Sequence, residues 1–529
     1  MCGIFGYIGD RSCKNLILSG LQALEYRGYD SAGIATLSTD GKISLVKRKG
    51  KVSSLEPFLG SLPERDSVGL GHTRWATHGY VSDHNAHPHV YENLALVHNG
   101  IIDNYLELKS LLEKEGYEFK TETDTEIVLK LLHHFRGKFG GIEEALLKAK
   151  ELLKGSYALG VLCSEEKENI YLVRKKSPLI VGIGESQHFF ASDLSALAPH
   201  TKEFVFIKDH QYAKISRNNF ELRNFQGNLV DYEKVILDDF SLSKNSKGAH
   251  EHFMLKEIYE QKEIILSHIE KFYDLEAGLL RDVGAELYRL DLTKYNHVVL
   301  LGCGSAYYAA YTALYTLEEH FRVPVSLHLA SEFRHRKMHL DEKTLVLSIS
   351  QSGETADTLS SSEFAKSRGA TLIAVCNTPY SSLTRLADFT MYIQSGTEVG
   401  VAATKTFTAT LLSLMTLSYS FGKKLGTVSQ EAFKILLKSL EELPEKVDQV
   451  FEKKGSYETV AKKYSSYPSF LFIGRGHLYP ISCEGALKLK EISYCHAEAY
   501  SSGELKHGPI SLVTEELPVV AVCPEDTSY

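Results

Sequence analysis

An internal repeat in the second half of the chain constrains the fold more than any other feature. The first copy begins YNHVVLLGCGSAYYAAYTALYTLEE and the second begins PSFLFIGRGHLYPISCEGALKLKE. At an offset of 172 residues, Gly302 and Gly304 fall on Gly474 and Gly476. At the same offset SEFRHRK falls on GELKHGP, and the apolar run TLVLSIS falls on ELPVVAV. One offset that holds across two motifs and a strand indicates two tandem domains of one type.

Each copy of the repeat consists of an apolar strand, a Gly-rich turn and a long helix. Alternation of this kind is typical of a parallel sheet with helices on both faces. Further apolar strands, among them TLIAVCN, extend the first copy to a helix that ends near Gly422. The sequence therefore predicts two αβα domains in tandem.

The first half of the chain has a different character. Strands are predicted for the apolar runs CGIFGYIG, SAGIATLS, ALVHNGII and YALGVLC, with helices at NYLELKSLLEKEG and GIEEALLKAKELLKG. The polar stretch DFSLSKNSKGAHE is the best linker candidate, and a strongly helical stretch over 253–280 follows it. The predicted domains cover 2–238, a linker over 239–252, a helical connector over 253–284, and repeat domains over 285–425 and 455–529.

Composition argues against several classes of function. The formal net charge of −8 disfavours a dedicated nucleic-acid binder. No apolar run approaches the ~18 residues of a membrane span, and the opening MCGIFGYIGD lacks the basic and apolar regions of a signal peptide. Eight cysteines with no C-x-x-C pair favour a reducing cytoplasm. No metal or other cofactor is expected, because the nearest ligand-like run, HNAHPHV, has no carboxylate.

Cys2 is the first candidate nucleophile. Removal of the initiator Met would expose its α-amine, whose unperturbed pKa of about 8 suits it to take the thiol's proton. A cysteine needs such a base to be mostly thiolate at pH 7. A cysteine at position 2 can equally be incidental, so its role depends on the segments that accompany it.

Three later segments offer partners for a substrate that carries a carboxylate, an amide and an ammonium group. Arg74 in HTRWATHG suits a bidentate contact with a carboxylate, and Asp124 in TETDTE suits an ammonium. Asn99 and Gly100 in HNGIIDN provide a side-chain amide and a backbone N–H for an oxyanion hole. Each segment also has an ordinary explanation: a strand arginine, a solvated acidic loop and a turn.

A resemblance to the class II glutamine amidotransferases, which are N-terminal-nucleophile hydrolases, is carried by MCGIFGYIG, EYRGYDSAG, HTRWATHG, NAHPH, HNGII and ETDTE. It covers nearly all of residues 2–235 and implies an αββα sandwich that hydrolyses glutamine through a thioester on Cys2. The resemblance also implies an oxyanion hole at Asn99 and Gly100, and glutamine binding by Arg74, Thr77, His78 and Asp124.

A Ser/Thr-rich turn follows one of the apolar strands of the first repeat. TLVLSI leads into Ser350, Gln351, Ser352 and Gly353, and Thr355 opens the next helix. Hydroxyls, backbone amides and a helix N-terminus at the carboxyl end of a parallel strand make an anion site. The same residues would also serve as an ordinary helix cap.

The second repeat carries candidate acid–base groups. Lys488 and Glu491 lie three residues apart on one predicted helix face, and His507 lies in the turn LKHGP. A carboxylate that moves a carbon-bound proton and a histidine that opens a ring would suit an aldose–ketose isomerisation. A surface ion pair and a loop histidine also explain the same spacing.

The tandem repeat resembles two sugar isomerase (SIS) domains. SQSGETADT, GTEVGVAATK, EGALKLKEISY and AEAYSSGELKHGP are close to the pattern of the isomerizing glutamine–fructose-6-phosphate aminotransferase family. This resemblance implies that L-glutamine and fructose 6-phosphate give glucosamine 6-phosphate and glutamate, the first step of hexosamine synthesis, in a homodimer. The implied residues are Glu491 as base beside Lys488, His507 from the neighbouring subunit, Trp75 as gate of an ammonia channel, and Ser305, Ser350, Gln351, Ser352, Thr355 and Val401 at the sugar phosphate.

Two positions depart from that family pattern. Ala306 follows Cys303-Gly304-Ser305 where the family commonly reads C-G-T-S, and Ala403 stands where it commonly reads V-A-S-T-K. Each alanine removes a hydroxyl from the expected sugar-phosphate site. Because a hydrogen bond to a charged group is worth ~1.5–3 kcal/mol, we expect affinity weakened by about one or two decades.

The repeat arithmetic predicts an incomplete second SIS domain. Shifted by 172 residues, Ser350 falls on Val522, close to Tyr529, so a complete second copy would extend beyond this chain. The family's C-terminal tail carries a lysine that forms an imine with the ketose, and no residue here matches that tail. We therefore expect a fragment that retains glutamine hydrolysis at best.

Two other functions fit part of the sequence. Amidophosphoribosyltransferases share the Cys2 domain but use a single phosphoribosyl domain, so the tandem repeat argues against them. A non-catalytic sugar-phosphate regulator could be built on isomerase domains. Such a regulator would have no reason to keep Cys2, Arg74, Asn99 and Asp124 together.

Overall fold

The computed structural model describes residues 2–76, 78–237, 247–281, 283 and 285–524. Thr77, which the sequence assigns to glutamine binding, lies outside the described residues, as does much of the predicted linker. The chain divides into an amino-terminal unit, Met1–Leu242, and a carboxyl-terminal unit, Ser243–Tyr529. Within the described ranges, no helix combines the length and apolar character that a bilayer crossing requires.

The first strand of the amino-terminal unit, Gly3–Ile8, shows how its layers arise. Side chains alternate across a strand, so Ile4 and Ile8 enter the core between two sheets. Phe5 and Tyr7 point the other way, against the helix that covers the outer face. The second sheet is covered on its own outer face by three further helices. The four layers form the expected αββα sandwich.

Two antiparallel sheets therefore lie back to back in this unit. In spatial order the eight-stranded sheet contains Val235–Ile236, Glu203–Phe206, Ile180–Gly184, Gln187–Ala191, Gly3–Ile8, Val68–Arg74, Ser31–Leu37 and Ile43–Lys49. The six-stranded sheet contains Phe220–Asn224, Gln211–Ile215, Ile170–Lys175, Gly155–Cys163, Leu94–Ile102 and His89–Tyr91. The α-helices are Cys13–Leu24, Tyr105–Lys114, Asp124–Phe139 and Ile142–Leu152, with 3-10 turns at Glu25–Arg27, Val52–Ser61 and Leu194–Ala196.

A side-chain N-cap explains where helix Asp124–Phe139 begins. The Thr123 hydroxyl accepts the N–H of Glu126, which satisfies one of the free donors of the first turn. The helix ends at Gly140, whose φ of 93° places it in the left-handed region that favours glycine. Asp124 is thereby fixed as the first helical residue.

The carboxyl-terminal unit contains a five-stranded parallel sheet between two helical layers. Its strands, in spatial order, are Val325–Leu329, His297–Gly302, Thr344–Ser350, Thr371–Cys376 and Phe389–Tyr392. Leu300 and Leu347 face one helical layer, whereas Val299 and Val346 face the other. A parallel sheet covered on both faces explains why its strands are continuous apolar runs. This architecture is the predicted αβα domain.

The helices of this unit lie before, between and after its strands. They are Phe253–Tyr259, Gln261–Phe272, Ala285–Arg289, Ser305–His320, Ala330–Phe333, Ala356–Ser367, Ser382–Leu386, Lys405–Leu425, Gln430–Glu452, Lys454–Tyr464 and Leu478–Ser493. Short 3-10 turns occur at Leu292–Lys294, Glu504–Lys506 and Pro509–Leu512.

A second parallel sheet is the structural counterpart of the sequence repeat. Its strands are His496–Ser501, Ser469–Gly474 and Val519–Ala521, in the same spatial order as their counterparts in the larger sheet. Gly304 and Gly476 have φ values of 55° and 54°, so the two Gly-rich turns share a positive φ at corresponding glycines. The offset read from the sequence therefore describes two copies of one fold.

The predicted helical stretch over 253–280 is wrong at its carboxyl end. The second helix ends at Phe272, and Tyr273–Asp274 pairs with Leu279–Leu280 in a small antiparallel hairpin. The Asp274 carboxylate accepts the N–H of Ala277, and Gly278 has a φ of 66°. An aspartate that binds nearby backbone and a left-handed glycine favour a turn over a helix.

Candidate active sites

The sheet register places the Cys2 thiol beside a backbone amide. Cys2 precedes strand Gly3–Ile8, in which Gly3 pairs with Thr73 of the neighbouring strand. The N–H of Trp75 lies 3.2 Å from the Cys2 sulfur, and the thiol lies 3.4 Å from the Trp75 carbonyl oxygen. Burial raises the pKa of this thiol, and the Trp75 N–H and the charges of Arg74 and Arg27 offset that effect in part. The thiol therefore needs a base to become a nucleophile at neutral pH.

Arg27 also reaches Cys2, although the sequence analysis gave it no role. Its Nε donates to the Cys2 carbonyl at 3.3 Å, and its Nη1 pairs with Asp193 at 2.9 Å. The Tyr26 hydroxyl donates to the same carboxylate at 2.7 Å. The arginine lies in EYRGYDSAG, one of the motifs that carry the amidotransferase resemblance.

The predicted oxyanion residues come from the other sheet. Asn99 lies in strand Leu94–Ile102, and its amide nitrogen donates to the Cys2 carbonyl at 3.0 Å. Gly100 has a φ of 129°, and a Cβ there would lie 2.0 Å from the Ser156 carbonyl oxygen. Only glycine fits this position. The fold thus brings Cys2, Asn99 and Gly100 together.

Arg74 closes a loop at the end of its strand. Its guanidinium donates to the carbonyls of His78, Gly79 and Tyr80, of which the last two lie at 3.2 and 3.3 Å. Burial lowers the pKa of this arginine. The His78 ring packs edge-on against Tyr105, with ring centroids 5.1 Å apart. Arg74 therefore holds the loop that carries His78, and its charge acts on the Cys2 thiol.

Asp124 and Trp75 are two further candidate residues of the amino-terminal unit. One Asp124 oxygen accepts the Ile102 N–H at 2.9 Å, and the other lies 3.9 Å from His98 Nδ1. The Trp75 ring packs edge-on against Tyr29 at 5.4 Å and is 38% exposed. The carboxylate is thus partly satisfied by the protein, and the indole remains accessible.

The histidine run that most resembles a metal site is buried in the amino-terminal unit. The His87 ring lies 4.3 Å from that of His72 and 4.7 Å from that of His89, centroid to centroid. Burial holds the pKa of all three well below the usual range. Among the described residues, no group of three or more His, Cys, Asp or Glu side chains could hold a metal ion.

Lys488 is the centre of a polar cluster in the carboxyl-terminal unit. Its ammonium lies 2.6 Å from Glu491, 3.3 Å from Glu484 and 3.0 Å from the Ser305 hydroxyl oxygen. Ser305 begins a helix of the first repeat, whereas the other three side chains come from helix Leu478–Ser493 of the second. The cluster therefore joins the two repeats at their candidate catalytic residues.

Glu484 is the member of this cluster that the sequence analysis missed. It is buried, and its carboxylate accepts the Ser305 hydroxyl at 2.7 Å. Burial raises the pKa of this carboxyl, with Lys488 acting in the opposite direction. Its position four residues before Lys488, on the same helix face, was the available signal.

The Ser/Thr-rich turn is closed by its own hydrogen bonds. The Ser350 hydroxyl accepts the Gly353 N–H at 3.0 Å and lies 3.3 Å from the Thr355 hydroxyl. The Ser352 hydroxyl accepts the N–H of residue 354 at 3.2 Å. Helix Ala356–Ser367 starts directly after Thr355. Hydroxyls and a helix start therefore meet at the carboxyl end of a parallel strand, as an anion site requires.

Two further predicted residues lie at the surface. Val401 is 53% exposed. The Gln351 carbonyl accepts the N–H of Asn377 at 3.2 Å. His507 is exposed and follows a 3-10 turn. Within the described residues, no hydrogen bond or ion pair links the His507 side chain to Glu491.

Two family profiles match the chain. One, described as "SIS domain", matches residues 291–419 and 463–528. The other, described as "Glutamine amidotransferase domain", matches residues 72–199. The two matches correspond to the carboxyl-terminal and amino-terminal units respectively.

Curated relatives match along the whole chain. A glutamine–fructose-6-phosphate aminotransferase [isomerizing] of Thermus thermophilus is 44% identical over 532 residues, covering 100% of this chain and 86% of the relative. The protein of the same name from Chlorobaculum tepidum is 41% identical, with 100% and 87% covered. The expectation of a truncated second SIS domain, limited to glutamine hydrolysis, is not supported by these comparisons.

A solved structure resembles the second half of the chain. It is the C-terminal domain of glucosamine-fructose-6-phosphate aminotransferase from Francisella tularensis. It is 39% identical, with a TM-score of 0.50, and the match covers 53% of this chain and 78% of that one.

Proposed function

The chain belongs to the family of isomerizing glutamine–fructose-6-phosphate aminotransferases, and from this premise we propose which residues carry each half of the reaction. It is an enzyme that converts fructose 6-phosphate and glutamine to glucosamine 6-phosphate and glutamate. Hydrolysis of glutamine consumes one water and releases ammonia. Addition of that ammonia to the ketose releases one water, so the two halves balance.

Cys2 is the nucleophile of the glutaminase half. Once Met1 is removed, the α-amine of Cys2 takes the thiol proton, a step made necessary because burial raises the thiol pKa. The thiolate attacks the amide carbon, ammonia leaves, and water hydrolyses the thioester. The Trp75 N–H, 3.2 Å from the sulfur, supports the thiolate.

The substrate contacts of this half follow from the charges around Cys2. Arg74 and Thr77 bind the α-carboxylate, and Asp124 binds the α-amine. His78 is a further glutamine-binding residue. Asn99 and Gly100 stabilise the oxyanion of the tetrahedral intermediate. The Asn99 amide nitrogen has two N–H donors, of which one binds the Cys2 carbonyl and the other is available for the oxyanion. Trp75 gates the passage of ammonia.

One observation carries the proposal for the isomerase half. The Lys488 ammonium contacts both Glu491 and Ser305, so the proton-transferring carboxylate and the sugar-phosphate side belong to one hydrogen-bonded cluster. Glu491 takes a proton from C1 of the ketose imine and returns it to C2, which gives the aminoaldose. Ring opening and sugar-phosphate binding fall to His507 and to Ser305, Ser350, Gln351, Ser352, Thr355 and Val401.

The assembly and location of the enzyme are part of the same proposal. A homodimer would supply His507 to the site of its partner, which agrees with the surface position of His507. A cytoplasmic location suits the eight cysteines, all of them free. No nucleic-acid or membrane partner is proposed.

The test measures two products on the same preparation. Glutamate release from glutamine reports the first half, and glucosamine 6-phosphate formation from both substrates reports the whole. Cys2→Ala, or an uncleaved N-terminal tag, should abolish glutamate release, whereas Cys523→Ala at an exposed cysteine should not. Full glutamine turnover by the tagged enzyme would contradict the role of the α-amine. Absence of aminosugar from the untagged enzyme would contradict the complete reaction.

A further inference from the structure

Helix Phe253–Tyr259 carries a buried carboxylate that the proposed reaction does not use. Glu257 is 2% exposed. The Val399 N–H lies 2.5 Å from its Oε1, and the Gly400 N–H lies 3.1 Å from each of its two oxygens. A buried carboxylate is stable only when hydrogen bonds or a cation compensate its charge. Here two successive backbone amides of one loop provide that compensation.

The loop is shaped to receive this side chain. A Cβ at Gly400 would lie 2.4 Å from Glu257 Oε2 and 3.4 Å from the Cα of Met254. Only a residue without a side chain lets the loop approach the helix so closely. The contact therefore depends both on the Glu257 carboxylate and on the absence of a side chain at Gly400.

Neighbouring groups hold the same loop where it enters helix Lys405–Leu425. The buried Lys405 ammonium lies 2.7 Å from Glu260, three residues after Glu257. The Glu398 carboxylate accepts the N–H groups of Thr404 and Thr406, at 2.9 and 3.1 Å. The carboxylates of the connector helix and of the loop itself thus fix the loop between residues 398 and 406.

The other end of the loop is tied to the Ser/Thr-rich turn. The Asn377 side chain donates to the Gly396 carbonyl at 2.8 Å and accepts the Ser395 N–H at 2.8 Å. Its backbone N–H donates to the Gln351 carbonyl at 3.2 Å. Residues 395–400 therefore extend from the turn at 350–355 to the carboxylate of Glu257, and Val401 follows directly.

We propose that Glu257 is a positioning residue for sugar-phosphate binding, acting through the backbone of Val399 and Gly400. Its carboxylate fixes that backbone and so sets the place of Val401 relative to the phosphate turn. The inference rests on the proposed function, because it takes Val401 and the turn as the sugar-phosphate site. Glu257 itself touches no substrate.

Glu257→Gln is the decisive variant because it keeps the size of the side chain. One oxygen acceptor becomes an NH₂ donor that faces backbone donors, so one loop contact turns repulsive. We expect the KM for fructose 6-phosphate to rise about tenfold or more, which matches the loss of one charged hydrogen bond. The kcat should stay within about twofold, and glutamine hydrolysis at Cys2 should be unchanged. Glu263→Gln, at an exposed carboxylate on the next helix, should change none of these values.

Gly400→Ala tests the same contact from the loop side. Its methyl would displace the loop from Glu257, and φ at this position is not in the left-handed region, so alanine adds no backbone strain. The variant should raise the same KM, and the double variant should raise it no further than either single change, since both break one contact. Should Glu257→Gln fail to fold, Gly400→Ala decides the question alone.

Ser350→Ala distinguishes failure of the role proposed for Glu257 from failure of the proposed sugar-phosphate site. If Ser350→Ala raises the KM for fructose 6-phosphate and neither loop variant does, the role of Glu257 is overturned and the sugar-phosphate site stands. If Ser350→Ala also leaves the KM unchanged, the sugar-phosphate site is misplaced and both proposals fail. A fall in kcat and in melting temperature at constant KM would show that Glu257 is merely structural.

Discussion

The ammonium of Lys488 lies 2.6 Å from a carboxylate oxygen of Glu491, one turn further along the same helix. A carboxylate held in this way has a fixed position and a neighbouring cation, both of which suit a group that moves a proton between two adjacent carbons. The pair belongs to the second repeat, but the same ammonium also reaches Ser305 of the first. One side chain thus links the residue proposed for proton transfer to a residue proposed for phosphate binding.

Glu491→Gln should abolish the isomerase half alone. The amide keeps the shape of the side chain but accepts no proton, so aminosugar synthesis should fall ~10²-fold or more, the usual scale for loss of a general base. Glutamate release without sugar should persist, because Cys2 lies in the other unit. Glu445→Gln, at an exposed helix position, is the matched control. Equal loss of both activities would mean that Glu491 is structural.

Lys488→Met should destabilise the carboxyl-terminal unit because it leaves the buried Glu484 without its cation. We expect the free energy of unfolding at pH 8 to fall by about 1–3 kcal/mol relative to the parent enzyme. Burial raises the pKa of Glu484 above its value in the unfolded chain. The penalty is therefore present above the folded pKa and shrinks as pH falls through it.

Urea unfolding followed by circular dichroism at pH 8 and pH 5 measures this effect. The double variant Glu484→Gln/Lys488→Met should recover most of the lost stability, since no charge is then left buried and unpaired. A Lys488→Met loss that is as large in the Glu484→Gln background would show that packing, and not the carboxylate, is responsible.

The strands and the repeat could be predicted because they depend on local pattern. The parallel strands are continuous apolar runs, and the two copies keep one offset from strand to strand. The hairpin at 273–280 was missed, since the apolar residues there fit a helix and the outcome depends on the turn at Asp274 and Gly278. Periodicity alone does not detect such a turn.

Candidate site residues were found in the sequence where they belong to recognisable motifs. They were missed where only tertiary contacts distinguish them. Cys2, Asn99 and Gly100 belong to motifs, and the fold brings them together. Glu484 and Glu257 lie in ordinary helical segments. Their importance comes from burial and from partners 179 and 142 residues away in sequence. No local pattern carries that information.

Gly100→Ala should damage the amino-terminal unit and its chemistry together. The residue combines a φ of 129° with a Cβ position 2.0 Å from the Ser156 carbonyl, so the methyl group adds both strain and a clash. We expect a loss of about 2 kcal/mol or more in unfolding free energy and at least ~10²-fold in glutamine hydrolysis.

Gly116→Ala provides the comparison that separates strain from clash. Gly116 has a φ of 88°, but nothing lies within 4 Å of its Cβ position. It should lose only about 1 kcal/mol and keep full activity. The chain's single tryptophan, Trp75, reports unfolding of this unit by fluorescence. Similar stability losses for the two variants would show that the Ser156 contact contributes nothing.

Acid should destabilise the amino-terminal unit through its buried histidines. His72 donates from Nε2 to the His98 carbonyl at 3.0 Å, and burial lowers its pKa to about 3. The unfolded chain binds a proton there below its ordinary pKa of about 6.5, whereas the folded chain does not. The contribution of neutral His72 to the free energy of unfolding is therefore fully present above pH 6.5 and is lost as pH falls from 6.5 toward 3. At pH 5 this one residue should cost about 2 kcal/mol.

His72→Gln keeps an N–H donor for the His98 carbonyl and removes the titration. Urea unfolding followed by Trp75 fluorescence should give a flatter pH dependence for this variant, by about 2 kcal/mol between pH 7.5 and pH 5. His210→Gln, at an exposed histidine of the same unit, should keep the parent slope. The neighbouring buried histidines His87 and His89 remain in all three proteins, and burial is the main cause of their lowered pKa values, so the difference in slope reports chiefly His72. Parallel slopes for His72→Gln and the parent would show that the ring takes up its proton without unfolding.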